Sequence, residues 1–155
     1  IMGTRSRIAI RNADNTYLSV YCHWDGYPSH HGPILQEHYN SEDKVRALLA
    51  GGDFSSLESN FDLIKFYTTT RPHEDPSPAA VSADLDALCV LTQETGGEWL
   101  YVFTPAGWQC APGGFSAFGM PSTKKPEGLE SVDYWLQREA HDSRCATLHL
   151  THHKP

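Results

Sequence analysis

Two stretches close to the N-terminus alternate in step with each other. Over residues 5–11, Ser6, Ile8 and Ile10 fall on one side of an extended chain, and Arg5, Arg7, Ala9 and Arg11 on the other. Over residues 17–23, Leu18, Val20 and Cys22 alternate with Tyr17, Ser19, Tyr21 and His23. A period of two marks strands with one apolar face. The five residues between them, Asn12-Ala13-Asp14-Asn15-Thr16, are turn formers. The pair is therefore predicted to be a hairpin. Matching the apolar faces sets Ile10 opposite Leu18 and Ile8 opposite Val20. Arg11 then faces Tyr17, Arg7 faces Tyr21, and Arg5 faces His23. A slip of one residue would turn one apolar set to the wrong face.

The remaining elements follow from spacing and punctuation. Pro33 after Gly32 is expected to open a short helix carrying Ile34, Leu35, His38 and Tyr39. Ser41 is expected to cap the next helix, with Glu42 and Asp43 in its first turn, Val45, Leu48 and Leu49 inward, and Gly51-Gly52 at its end. Residues 61–68 read as a strand, and the proline-rich stretch 71–80 as a loop. Ser82 is expected to cap a helix over 83–93 with Leu85, Leu88 and Leu91 inward. Trp99–Phe103 and Trp108–Cys110, joined by Thr104-Pro105-Ala106-Gly107, read as a second hairpin. Residues 111–128 read as an extended loop that serves as a mobile lid, a partner contact or a plain connection. A final helix is expected over 129–139, with Leu129, Val132, Trp135 and Leu136 along one side, and residues 152–155 as a tail. The expected fold is α+β: a single domain over 1–155 in which an N-terminal β-hairpin and a second hairpin pack against three or four short helices.

Length and charge narrow the function. A chain of 155 residues buries enough surface to fold without metal or disulfides. Cys22, Cys89, Cys110 and Cys145 show no Cys-x-x-Cys spacing. No apolar run approaches the ~18–20 residues of a membrane span. Ile1 to Ser6 do not read as a signal peptide, Met2 reads as the natural start, and a cytoplasmic location is expected. The net charge of −7 disfavours non-specific nucleic-acid binding. A DNA mimic is a minor alternative, since the acidic residues are scattered.

The densest chemistry lies in Tyr21-Cys22-His23-Trp24-Asp25-Gly26-Tyr27-Pro28, continued by Ser29-His30-His31-Gly32. His23 and Asp25, two apart in an extended segment, point the same way. Such a pair can act as acid and base or share a divalent metal, with His30, His31 and His38 as further ligands. It can equally order the turn at Gly26 by local hydrogen bonds. Arginines beside tyrosines suit an anionic, nucleotide-like ligand, because guanidinium forks grip phosphate and rings stack on bases. Salt bridges to nearby acids are the structural alternative for Arg5, Arg7 and Arg11. Trp24 and Cys22, on the apolar side of the strand, are expected in the core. Cys22 and His23 point to opposite faces and cannot form a nucleophile–base pair without a bulge. His141-Asp142-Ser143 and His149-Leu150-Thr151 resemble paired phosphodiesterase triplets, but those stand on separate strands far apart in sequence.

The opening Thr4-Arg5-Ser6-x-Ile8, the run Tyr21–Pro28, then Gly32, Leu35, His38-Tyr39 and Gly52-Asp53 with Ser55-Ser56-Leu57 together resemble a family of small bacteriophage and prophage proteins. The resemblance covers residues 4–57 and fades beyond them. Thr69-Thr70-Arg71-Pro72 stands where that family would lead one to expect residues like Arg-Asp-Arg-Gly. The family carries no established activity, so the resemblance implies a setting, the cytoplasm of an infected or lysogenic bacterium. The leading expectation is a non-enzymatic protein that sequesters a nucleotide-like anion or inhibits a host defence factor, with no cofactor. Its expected contacts are Arg5, Arg7, Tyr21, His23, Asp25, Tyr27 and His30. One rival is a metal-dependent or acid–base hydrolase, phosphoesterase-like, centred on His23 and Asp25. Another is a purely protein-binding inhibitor.

Overall fold

The computed structural model describes residues 3–113 and 128–152, with side chains described as far as residue 142. Most of the expected loop 111–128 and the last residues of the expected tail lie outside the described residues. The strands are β1 (Ser6–Arg11), β2 (Tyr17–Trp24), β3 (Phe54–Ser56), β4 (Ala80–Ser82), β5 (Trp99–Thr104), β6 (Gly107–Pro112) and β7 (Glu130–Ser131). The helices are α1 (Pro28–His38), α2 (Glu42–Ala50), the single turn α3 (Tyr67–Thr70), α4 (Leu85–Glu94) and α5 (Val132–His152). The result is one α+β domain built on a mixed sheet. None of the helices, over the described residues, is long and apolar enough to cross a membrane.

The first hairpin pairs as its alternation dictates: Ile10 with Leu18, Ile8 with Val20, Arg7 with Tyr21 and Arg11 with Tyr17. The second hairpin, β5 with β6, also forms where expected. The two are fused into one sheet because β1 pairs with β5 in parallel, from Ser6 opposite Trp99 to Ile10 opposite Phe103. The strand order is β3-β2-β1-β5-β6-β7, and β4 pairs with β2 beyond the reach of β3. The central strands β1 and β5 are covered on both faces, as parallel strands usually are.

One face carries the larger core. Ile8, Ile10, Val20, Cys22, Tyr101 and Cys110 of the sheet pack against Leu35 and Tyr39 of α1, Val45, Leu48 and Leu49 of α2, and Val132 and Trp135 of α5. Each fully buried leucine contributes about 1.5–3 kcal/mol. Indole N–H groups fix the layers: Trp108 donates to the Tyr39 carbonyl at 2.8 Å and Trp135 to the Cys110 carbonyl at 2.7 Å. The opposite face is covered more sparsely, by α4, whose Leu88 packs on Ala9, Tyr17, Leu100 and Val102.

Several expectations need correction. Helix α1 starts at Pro28, its N1 or N2 residue, and runs through Gly32 and Pro33. Gly32 is not a breaker there. A side chain at that position would meet Val132 Cγ1 at 2.7 Å, so glycine lets α5 approach. Residues 61–68 form no strand: a 3₁₀ turn, Phe61–Leu63, leads to an isolated bridge between Phe54 and Phe66 and then to α3. Helix α4 is capped by Asp84, whose Oδ1 accepts from Ala87 N at 2.8 Å, while Ser82 is buried in β4. Of its three leucines only Leu88 is fully buried. The last helix begins at Val132 and extends well past 139. The Ser41 cap is as expected, with Oγ accepting from Lys44 N.

Candidate functional site

The run from Tyr21 to His31 divides between the two faces of the sheet. Tyr21 and His23 point with Arg5 and Arg7 to the sparsely covered face. Carrying the β1–β2 register one pair beyond Ser6 and Cys22 sets Arg5 beside His23. At Asp25 the chain takes a left-handed conformation (φ 55°) and swings over to the helix-rich face. Tyr27, His30 and His31 follow at the start of α1.

On the sparsely covered face the central pair is Tyr21 Oη and His23 Nδ1, 2.7 Å apart. Both residues are half-buried. His23 also packs edge-on to Trp24, ring centroids 4.5 Å apart. Burial, then the positive charges of Arg5 and Arg71, lower the His23 pKa, so the imidazole is neutral at pH 7. Burial pushes the Tyr21 hydroxyl up to about 12, with Arg5 opposing. A neutral His23 protonated on Nε2 accepts the Tyr21 hydroxyl at Nδ1 and leaves an N–H free to donate elsewhere.

The two arginines are held differently. Backbone bonds tie the Arg5 strand end to Glu98: Arg5 N donates to Glu98 Oε2 at 3.2 Å, and Glu98 N to Arg5 O at 2.8 Å. The Arg5 side chain lies against Gly96 (φ 76°), where a β-carbon would sit 2.7 Å from Nη1. Glycine there both permits the left-handed turn and leaves room for the guanidinium. Among the described residues no carboxylate lies within ion-pair distance of that guanidinium. Arg71, just past α3, lies 4.3 Å over the Tyr67 ring and pairs with Glu74 at 3.7 Å in the open. The Tyr67–Arg71 pair has the i, i+4 spacing that lets neighbours on a helix touch.

Arg7, expected among the ligand contacts, is 4% exposed. Its Nε donates to Ser19 Oγ at 2.8 Å and its Nη1 to Thr95 Oγ1 at 3.4 Å. Burial lowers its pKa, and the charge of Asp53 opposes that. Asp53 also repairs the sheet. Between the stretches of β2 that pair with β3 and with β4, the Tyr21 N–H has no strand partner, and Asp53 Oδ1 accepts it at 2.8 Å. Arg7 is thus a frame on which the outer groups stand. Arg11 lies exposed at the far end of β1, beside a shallow hollow lined by Ile10, Glu42 and Phe103.

On the helix-rich face His31 and Tyr101 are enclosed, while Tyr27 and His30 stay partly exposed. His31 has no exposed surface. Its Nε2 lies 3.0 Å from Ser6 Oγ, and its Nδ1 3.1 Å from His30 Nδ1. Burial, then His30, push its pKa down to about 3. Tyr101 Oη donates to the Gly26 carbonyl at 2.6 Å and the ring packs on His31, centroids 5.2 Å apart. Tyr27 and His30 are in edge contact at 6.0 Å. Cys22 is buried, its thiol pushed up to about 12, and is inert as a nucleophile. Trp24 is only partly buried, on a groove with Ser55, Ser56, Glu58, Leu63 and Lys65, and not in the core as expected.

The expected contact set is therefore brought together only in part. Arg5, Tyr21 and His23 share one surface. Asp25, Tyr27 and His30 belong to the other. The charges acting on His23 are Arg5 and Arg71, whereas Asp25 acts on Cys22 and Tyr27. His38 is exposed at the end of α1, 3.9 Å from Glu37. Among the described residues no three His, Cys, Asp or Glu side chains are placed to hold one metal ion, and His23, Asp25, His30 and His38 form no such group. The two His-x-Ser/Thr triplets both fall on α5, on one helix instead of separate strands.

Asp53, Tyr67 and Arg71 complete the surface and were not among the expected contacts. For Tyr67 and Arg71 the signal was their i, i+4 spacing, hidden by reading 61–68 as a strand. Comparison with known protein families, curated proteins and solved structures finds no match to this chain.

Proposed function

We propose that this protein binds a small anionic, nucleotide-like ligand on the surface formed by Arg5, Tyr21, His23, Tyr67 and Arg71. One observation carries the reading: the charges of two arginines from distant parts of the chain act on a hydrogen-bonded Tyr–His pair, and the Arg5 guanidinium has no carboxylate within ion-pair distance among the described residues. Arg71 has Glu74 at 3.7 Å in the open, whereas the Arg5 guanidinium is left for a bound anion to offset. Arginine forks and a neutral imidazole N–H supply donors for phosphate oxygens. The Tyr67 ring offers an apolar plane beside them. In the phage setting that the N-terminal resemblance implies, such binding would withhold a host nucleotide from its receptor.

Hydrolysis has less support. The His23–Asp25 pair on which it rests is split between the two faces, and His23 Nδ1 is engaged by Tyr21. The test is incubation with a panel of linear and cyclic nucleotides, followed by heat release and chromatography of the small molecules. Recovery of an intact nucleotide, lost in Arg5→Ala, is the expected result. A converted product that disappears in His23→Ala would establish an enzyme instead. If no nucleotide is retained while one host protein is recovered by pulldown, the small-molecule reading falls.

A further inference from the structure

We infer that this surface selects a terminal phosphate monoester, carried as a dianion, over a phosphodiester, and that it does so by taking up one proton on His23 as it binds. The inference rests on the anion-binding reading above. It follows from the geometry of the Tyr21–His23 pair, whose Oη and Nδ1 are 2.7 Å apart. That contact has two forms. With a neutral ring, the Tyr21 hydroxyl hydrogen is spent on Nδ1, and only Nε2–H faces outward. With a protonated ring, Nδ1–H donates to Tyr21 Oη, and the hydroxyl hydrogen is released to a ligand. One proton gained on the imidazole thus yields a positive charge and a second outward donor. No covalent bond other than N–H forms.

The surroundings keep the neutral form dominant until an anion arrives. The charged and titratable groups around His23 are Tyr21 on its own strand, Arg5 from the strand end beside it, and Arg71 after α3. Around Tyr21 lie Asp53 and Tyr67. The Asp53 carboxylate is turned to the Tyr21 backbone N–H and is shared with the buried Arg7. Glu74 is paired with Arg71. The cations that act on His23 therefore oppose its protonation. A dianionic phosphate reverses that balance, and a monoanionic diester does so half as strongly. A terminal phosphate also presents three acceptor oxygens, against two free oxygens in a diester. The donors to be met are the Arg5 and Arg71 forks, His23 Nε2–H and the released Tyr21 hydroxyl.

The test is an NMR titration of the His23 ring in the full chain, alone, with adenosine 5′-monophosphate, and with adenosine 3′,5′-cyclic monophosphate. The monoester is expected to raise the His23 pKa by about two pH units and to bind several-fold more tightly at about pH 6.5, just above the monoester's own second pKa of about 6, than at about pH 8. The cyclic diester is expected to bind more weakly, with less than half that rise. Tyr21→Phe keeps the ring and the fold but should abolish the preference for the monoester. His23→Gln should remove the pH dependence. If both nucleotides bind equally with no change at His23, the inference fails while the anion-binding reading stands. If neither perturbs any group of this surface, the reading itself fails, and the inference with it.

Discussion

The two sides of the sheet hold the same residue types and treat them in opposite ways. On the helix-rich side, a histidine, a tyrosine and a serine are sealed beneath α1, each with a partner inside the protein. On the sparsely covered side, a histidine and a tyrosine stand half-open among arginines. The difference is coverage. Three helices lie over the first face and one over the second. A polar group in a closed core must be satisfied there, and so becomes part of the framework. A polar group at a rim can keep a donor for something else. Composition alone does not distinguish a structural imidazole from a binding one.

The sharpest way to break this contrast is at His31. His31→Ala removes a fully buried ring and leaves Ser6 Oγ without its partner, an expected loss of about 4 kcal/mol by urea denaturation. The same residue should make the protein acid-sensitive. Its pKa is about 3 when folded, against about 6.5 when unfolded, so below pH 6.5 the unfolded chain binds the extra proton. Stability is then fully present above pH 6.5 and falls steadily towards pH 3. At pH 5 the loss is about 2 kcal/mol relative to pH 7.5. A protein equally stable at pH 5 and pH 7.5 would mean that His31 is not sealed.

Arg7 lies on the open face by register but in the framework by burial. Arg7→Ala should cost about 2–3 kcal/mol, because it leaves Ser19 unpaired and Asp53 without the charge that offsets its own burial. Equilibrium unfolding measures this directly. A variant of unchanged stability that had lost nucleotide binding would move Arg7 from the frame into the site.

The contrast also shows what the sequence can disclose. The hairpin register was legible pair by pair, because both strands alternate and only one alignment buries both apolar sets. The parallel pairing of β1 with β5 was not legible, since the two strands are distant in the chain and a parallel ladder leaves no local signature. Arg5, Tyr21 and His23 could be placed on one face from alternation alone. The departure of Asp25, Tyr27 and His30 could not, because it turns on one left-handed residue that Gly26 obscured. A glycine already assigned to the turn hid the fact that Asp25 makes it. Asp53 reaches the site from the connection between α2 and β3, where no periodicity predicts direction.

The smallest expected change in stability belongs to Arg5→Ala, and it is the most discriminating. The Arg5 backbone is held by Glu98 whatever its side chain, and the guanidinium rests against Gly96 without an ion-pair partner among the described residues. Removing it should cost less than about 0.5 kcal/mol, a shift in Tm of about 2 °C or less for a chain of this size. It should also let the His23 pKa rise in the free protein, since Arg5 is one of the two charges holding it down. Nucleotide retention should nonetheless fall at least about tenfold, and more steeply at low salt, where exposed charges act over longer distances. Such a result places Arg5 wholly on the binding side of the contrast. A Tm loss as large as that of Arg7→Ala would show that the open face is framework too, with its arginines and tyrosines there to hold one another.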